Sequence, residues 1–165
     1  QGRLYYRVEL SWVPEQPLRD LPARSQGLRV SRALRTRTQA GAGVTSLMTG
    51  EAVAMDLQIE NDVAIDYVAI DVPLPAGLEA LQREVGFGQA SMRLPGTYGP
   101  FVSHEELRAD RVVVFADRLH RGVHKHTIYL RPTTPGQFVL PSAQAEAMYE
   151  PELYGRTTMS QIEIR

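Results

Sequence analysis

Apolar and polar residues alternate one for one along much of this chain, and that period confines it to β-structure. Residues 3–12 set the pattern. Leu4, Tyr6, Val8, Leu10 and Trp12 share one parity, and Tyr5, Arg7, Glu9 and Ser11 the other. Residues 28–37 repeat it, with Leu28, Val30 and Leu34 against Arg29, Arg35 and Arg37. Arg32 falls on the apolar parity there and marks an edge or a bulge. Residues 51–60 place Val53, Met55, Leu57 and Ile59 opposite Asp56, Gln58 and Glu60, before an Asn61-Asp62 turn signal. Residues 63–72 are more continuously apolar, as a central strand requires. Residues 111–116, 123–131, 138–140, 142–149 and 160–164 alternate again.

Between these runs lie the breakers. Residues 14–27 hold three prolines and read as a connection, and the stretch around Gly41 and Gly43 reads as a loop. Residues 77–83, with Leu78 and Leu81 three apart, allow one or two helical turns. Residues 84–100 read as a long loop. Thr134-Pro135-Gly136-Gln137 matches a type II turn. About nine strands at this spacing, with at most one short helix, predict an all-β antiparallel sandwich, with a barrel as the alternative architecture.

A chain of 165 residues with 43% hydrophobic and 22% charged residues is long enough and apolar enough for one domain with its own core. We therefore expect a single domain over residues 1–165. A net charge of −1 argues against nucleic acid as a partner. With no cysteine, disulfides, thiolate zinc sites and cysteine nucleophiles are excluded. Lys125 is the sole lysine among 18 basic residues. No apolar run approaches the roughly 18 residues that cross a membrane. The chain starts at Gln1 and has no signal-peptide pattern, so we expect a piece of a longer chain with any targeting signal upstream.

The chemistry-bearing candidates are sparse. His124 and His126 share one face of a strand, about 7 Å apart. Such a pair ligates zinc only when a third ligand arrives from elsewhere, so it is a weak metal candidate beside the plainer reading of a solvated strand face. Gly86-Phe87-Gly88 is half a dinucleotide fingerprint, and Pro95 and Gly96 exclude the helix that the motif requires. Ser103-His104-Glu105-Glu106 lies close in sequence, but adjacent residues do not face one another, so no triad follows. No catalytic residue and no cofactor are expected. Arg29, Arg35 and Arg37 form a basic stripe that either docks an acidic partner or guards a sheet edge. Residues 145–151, Ala-Glu-Ala-Met-Tyr-Glu-Pro, present adjacent bulky apolar groups where the chain leaves a strand. Met148 and Tyr149 there either cap the core or reach a neighbouring domain, since both types are enriched at interfaces.

Three segments carry a family resemblance. They are Arg108-Ala109-Asp110-Arg111-Val112-Val113-Val114-Phe115, Thr134-Pro135-Gly136-Gln137-Phe138, and residues 145–151 followed by Tyr154-Gly155. In this order and spacing the chain resembles the C-terminal, MG10-like and receptor-binding-domain-like macroglobulin domain of bacterial alpha-2-macroglobulins. The resemblance implies a β-sandwich at the C-terminus of a very large periplasmic protease trap, often tethered to the inner membrane by an upstream anchor. It implies a module without catalysis that packs on other domains of its own chain. In one branch of the family that neighbour is a thioester domain, and target proteases are met only by the full-length protein. Met148, Tyr149, Glu146, Pro151 and Tyr154 are then the interdomain contact candidates. The other function class is a sandwich that binds an envelope or secreted protein, with Tyr5 and the arginine stripe as its contacts.

Overall fold

The computed structural model describes Arg3 and residues 6–11, 22–36, 43–81, 84–87, 90–93 and 100–165. The described residues form strands, turns and loops, with no helix among them. In chain order the strands are β1 (Arg24–Gln26), β2 (Leu28–Thr36), β3 (Ser46–Leu47), β4 (Val53–Asn61), β5 (Ile65–Pro73), β6 (Leu78–Ala80), β7 (Glu84–Phe87) and β8 (Ala90–Arg93). They continue with β9 (His104–Leu107), β10 (Arg111–Leu119), β11 (Gly122–Pro132), β12 (Gly136–Leu140), β13 (Gln144–Ala147), β14 (Glu150–Arg156) and β15 (Ser160–Ile164).

Ten strands join in the order β6-β11-β4-β2-β1-β14-β13-β5-β10-β9. This sheet folds over on itself, so that β11 near one end of the order faces β9 at the other. The His126 side chain on β11 meets that of Glu105 on β9 at 2.9 Å. The corner is the one-residue link between β1 and β2. Gly27 there has φ 76°, a left-handed conformation that glycine adopts without penalty. A second sheet, β12-β15-β3, contributes Leu140, Ile162, Ile164 and Leu47 to the core. The fold is therefore the predicted sandwich.

Alternation builds the core. The inward rows are Leu28, Val30 and Leu34 on β2, Val53, Met55, Leu57 and Ile59 on β4, and Val112, Val114 and Ala116 on β10. Ile128 and Leu130 on β11 and Val68, Ile70 and Val72 on β5 complete the two layers. Each large side chain so buried contributes roughly 1.5–3 kcal/mol. The four rows at 53–59, 112–115, 123–131 and 160–164 follow the sequence reading.

Other expectations need correction. Residues 6–11 form no strand, and Tyr6, Val8 and Leu10 are exposed. Leu4, Tyr5, Trp12, Gly41 and Arg37 lie outside the described residues. Residues 77–83 hold the strand β6 instead of a helical turn, because its backbone pairs with β11 from Leu130 to Pro132. The supposed loop at 84–100 contains β7 and β8, which pair with each other. The supposed connection at 14–27 ends in β1. β2 pairs with β4 in unbroken register from Leu28 to Thr36, so Arg32 marks no bulge there. Its guanidinium instead reaches from the inward row to the carbonyls of Leu140 and Thr158 at 3.0 and 3.3 Å. Burial pushes its pKa down to about 10, which leaves it charged at neutral pH.

Candidate functional site

The segment 145–151 does not leave the sheet. It is a hairpin: β13 runs in, Met148 and Tyr149 make the turn, and β14 runs back. The register shifts after Glu146, since Glu146 faces Tyr154 while Ala147 faces Glu150. Pro151 falls within that bulge, where its missing N–H removes no ladder bond. β13 anchors the hairpin through Ala145 and Ala147, which are buried against the core.

Met148 and Tyr149 do not cap the core. Met148 is 52% exposed and Tyr149 is 76% exposed. Glu146 and Pro151 are exposed as well, and Tyr154 is half-buried with the Arg24 guanidinium 5.7 Å over its ring. Glu146 and Tyr154 pair across β13 and β14, so four of the five candidates lie on the hairpin's outer surface and Tyr154 joins them on its adjoining row.

The sequence reading missed one member of this surface. Tyr67 on β5 is 52% exposed, and its ring meets that of Tyr149 edge-on at 5.4 Å. The Met148 N–H donates to the Tyr67 carbonyl at 2.8 Å. Tyr67 has φ 55°, the sole positive φ at a non-glycine among the described residues. β5 changes phase here: Val68, Ile70 and Val72 point inward on even positions, but Ile65 does so on an odd one. The three-residue step from Ile65 to Val68 was the available signal, masked by a run that reads as more continuously apolar than its neighbours.

The described members of the arginine stripe, Arg29 and Arg35, are internally compensated. Arg29 meets Glu60 at 2.7 Å, and Arg35 meets Asp56 through two bonds. The Arg29 bond, helped by Gln58, holds Glu60 below the usual carboxylate range. Burial works to raise Asp56, but the bonds from Arg35 and Thr127 outweigh it and the net shift is downward. Pairs this open to solvent are screened by water and salt and add little to stability.

The two histidines part company. His126 is buried in the inward row, with Nε2 on Glu105. His124 is half-buried, with Nε2 on the His120 carbonyl at 2.7 Å and its ring edge-on to Phe101. Among the described residues no three His, Asp or Glu side chains converge as a metal site. The Ser103 hydroxyl accepts the Asp117 N–H at 2.8 Å.

Known proteins resemble this arrangement. The family model described as the bacterial alpha-2-macroglobulin MG10 domain matches residues 27–152. An alpha-2-macroglobulin homolog of Nostoc sp. is 30% identical over 94% of this chain, which spans 8% of that protein. Circularly permutated Ras protein 2 of Dictyostelium discoideum is 26% identical over 95% of this chain and 4% of its own length. The native conformation of Escherichia coli alpha-2-macroglobulin superposes with a TM-score of 0.75 at 20% identity, over 93% of this chain and 10% of that one. The match covers well over half of the chain and the fold agrees with it: the chain belongs to the bacterial alpha-2-macroglobulin MG10 domain family.

Proposed function

We propose that this domain is a non-catalytic packing module of a larger bacterial protease inhibitor of the alpha-2-macroglobulin kind. In that role the Met148–Tyr149 tip docks on a neighbouring domain, a thioester-type domain where the parent chain has one, and holds the inactive state. The observation that carries the reading is the exposed tip itself. Two large apolar side chains stand in water on a hairpin whose flanking strand is locked into the core. Exposed aromatic and methionine side chains on a rigid support are the usual anchors of an interface. The parent works in the periplasm, anchored to the inner membrane upstream of this domain.

The test uses the full-length parent carrying Met148→Ala and Tyr149→Ala. Each truncation at an anchor costs on the order of 1–2 kcal/mol of docking, or roughly tenfold in the undocked population. We expect the double variant to convert to the rearranged form without protease, seen as a mobility shift on native gels, and to trap less protease. Unchanged conformation and trapping would sink the docking role.

A second reading has one observation in its favour. A similar sequence lies within a Dictyostelium chain of a different name, which suits a portable binding module for a partner protein. Arg29 and Arg35 would be its contacts on the described surface. Charge reversal of both arginines should abolish capture of such a partner, and retained capture removes this reading.

A further inference from the structure

Tyr67 stands out for its backbone. A tyrosine in the left-handed region places Cβ against its own carbonyl, and such residues persist only where the surroundings over-determine them. Here the surroundings are the hairpin tip. The pairing of β5 with β10 skips from Ala116–Val68 to Arg118–Asp66, passing over Tyr67. The Tyr67 carbonyl, on the β13 side of the strand, accepts the Met148 N–H and carries the β13–β5 register into the tip. The ring packs on Tyr149, yet half of it stays in water. A residue needed only to turn a strand requires no ring, and glycine would make the turn without strain.

The surroundings of this patch have a sign. Asp66 and Asp117 flank Tyr67 on β5 and on the facing strand β10, while Glu146 and Glu150 flank the tip, and all four are exposed. Arg118 is the one cation beside them on these strands, and it pairs with Asp66 at 3.4 Å. Three apolar groups ringed by carboxylates match an apolar pocket with a basic rim. The source of that pocket is the parent chain, because this domain spans 8–10% of the alpha-2-macroglobulins it matches and the rest lies outside it.

We infer that Tyr67 is a positioning residue that presets the Met148–Tyr149 tip for docking into an apolar pocket with a basic rim on another domain of the parent chain. The inference rests on the docking reading above. It adds a third anchor, the second aromatic one, a preorganised geometry and the chemistry of the receiving surface.

Oxidation of Met148 in the full-length parent by dilute hydrogen peroxide, followed by mass spectrometry, tests it. A docked thioether is shielded from oxidant. In the wild type, Met148 should oxidise about tenfold more slowly than in the parent unfolded in urea, a docking preference of about 1.4 kcal/mol. Wild-type oxidation at the urea rate overturns the docking reading itself. Tyr67→Gly retains the left-handed backbone and removes the ring. It should speed Met148 oxidation about tenfold without lowering the melting midpoint of the domain, whereas Tyr67→Phe should keep the protection. Wild-type protection in Tyr67→Gly overturns the positioning role while leaving the docking reading standing. Faster oxidation accompanied by a lower midpoint assigns the effect to unfolding and likewise overturns it. Glu146→Lys with Glu150→Lys should also unmask Met148, and unchanged protection there removes the basic rim.

Discussion

Gly155→Ala is expected to cost the domain about 3 kcal/mol, the upper end of what overpacking costs. Gly155 sits in β14, where the folded-over sheet brings that strand across the start of β2. A Cβ built there would overlap the Leu28 carbonyl oxygen and stand 2.9 Å from its carbon, with the Val30 side chain at 3.2 Å. A clashing side chain swings aside, but a backbone carbonyl held in the β2 ladder cannot. Relief therefore requires the two layers to part at the corner. For a chain of this size the loss lowers the thermal midpoint by roughly 6–12 °C. Gly50→Ala is the comparison. Gly50 has φ 81° and nothing within 4 Å of a built Cβ, so it suffers backbone strain alone, about 1 kcal/mol. Equal midpoints for the two variants, measured by circular dichroism, would mean that the corner is looser than its geometry implies.

That corner shows where sequence and structure part. Period two places a side chain on one face or the other, and the rows over Met55–Ile59 on β4, Arg111–Ala116 on β10 and His126–Pro132 on β11 follow it. Period two says nothing about which strand lies beside which. A ten-stranded sheet that closes on itself through Gly27 and Gly155 depends on contacts between residues more than a hundred positions apart, and no local pattern encodes them. The Tyr154-Gly155 pair was visible as part of a family likeness, yet its physical reason appears only when β14 is laid over Leu28. The tip was half legible. Met148 and Tyr149 stood out as bulky neighbours beside small residues, but the strand after Pro151 was hidden, since proline reads as a terminator and a bulge has no sequence signal of its own. Tyr67 was missed because one left-handed residue shifts the phase of a strand without changing its composition. The short strands β1, β3 and β6 were missed because two or three residues are too few to display a period. Arg32 and His126 were misplaced by the assumption that a charged or polar residue in an alternating strand marks an edge or a wet face. Each lies on the inward row because the folded-over layers bring polar partners to it from distant segments.

His126 carries the other large effect. Its imidazole and the Glu105 carboxylate bridge the two layers at 2.9 Å, with side chains 0% and 6% exposed. Phe101 lies edge-on at 6.4 Å, and the second ring nitrogen, Nδ1, is buried without a hydrogen-bond partner. A polar pair in such surroundings gains little over apolar packing, because desolvation offsets most of the attraction. Removing one member is a different matter, since the other stays buried and loses this partner. His126→Leu is expected to cost about 3–5 kcal/mol, because a carboxylate is then buried beside a leucine, and Glu105→Met should cost a similar amount by orphaning the imidazole. The double variant should be more stable than either single one. That reversal separates an interlayer pair from mere sensitivity to core substitution, in which the two losses would add. Urea midpoints of the four proteins measure it. If the double variant loses the sum of the single losses, the two groups do not act as a pair. If it recovers to within about 1 kcal/mol of the wild type, the bridge is replaceable by packing, and the face that His126 shares with His124 serves the core of the sandwich and not a metal.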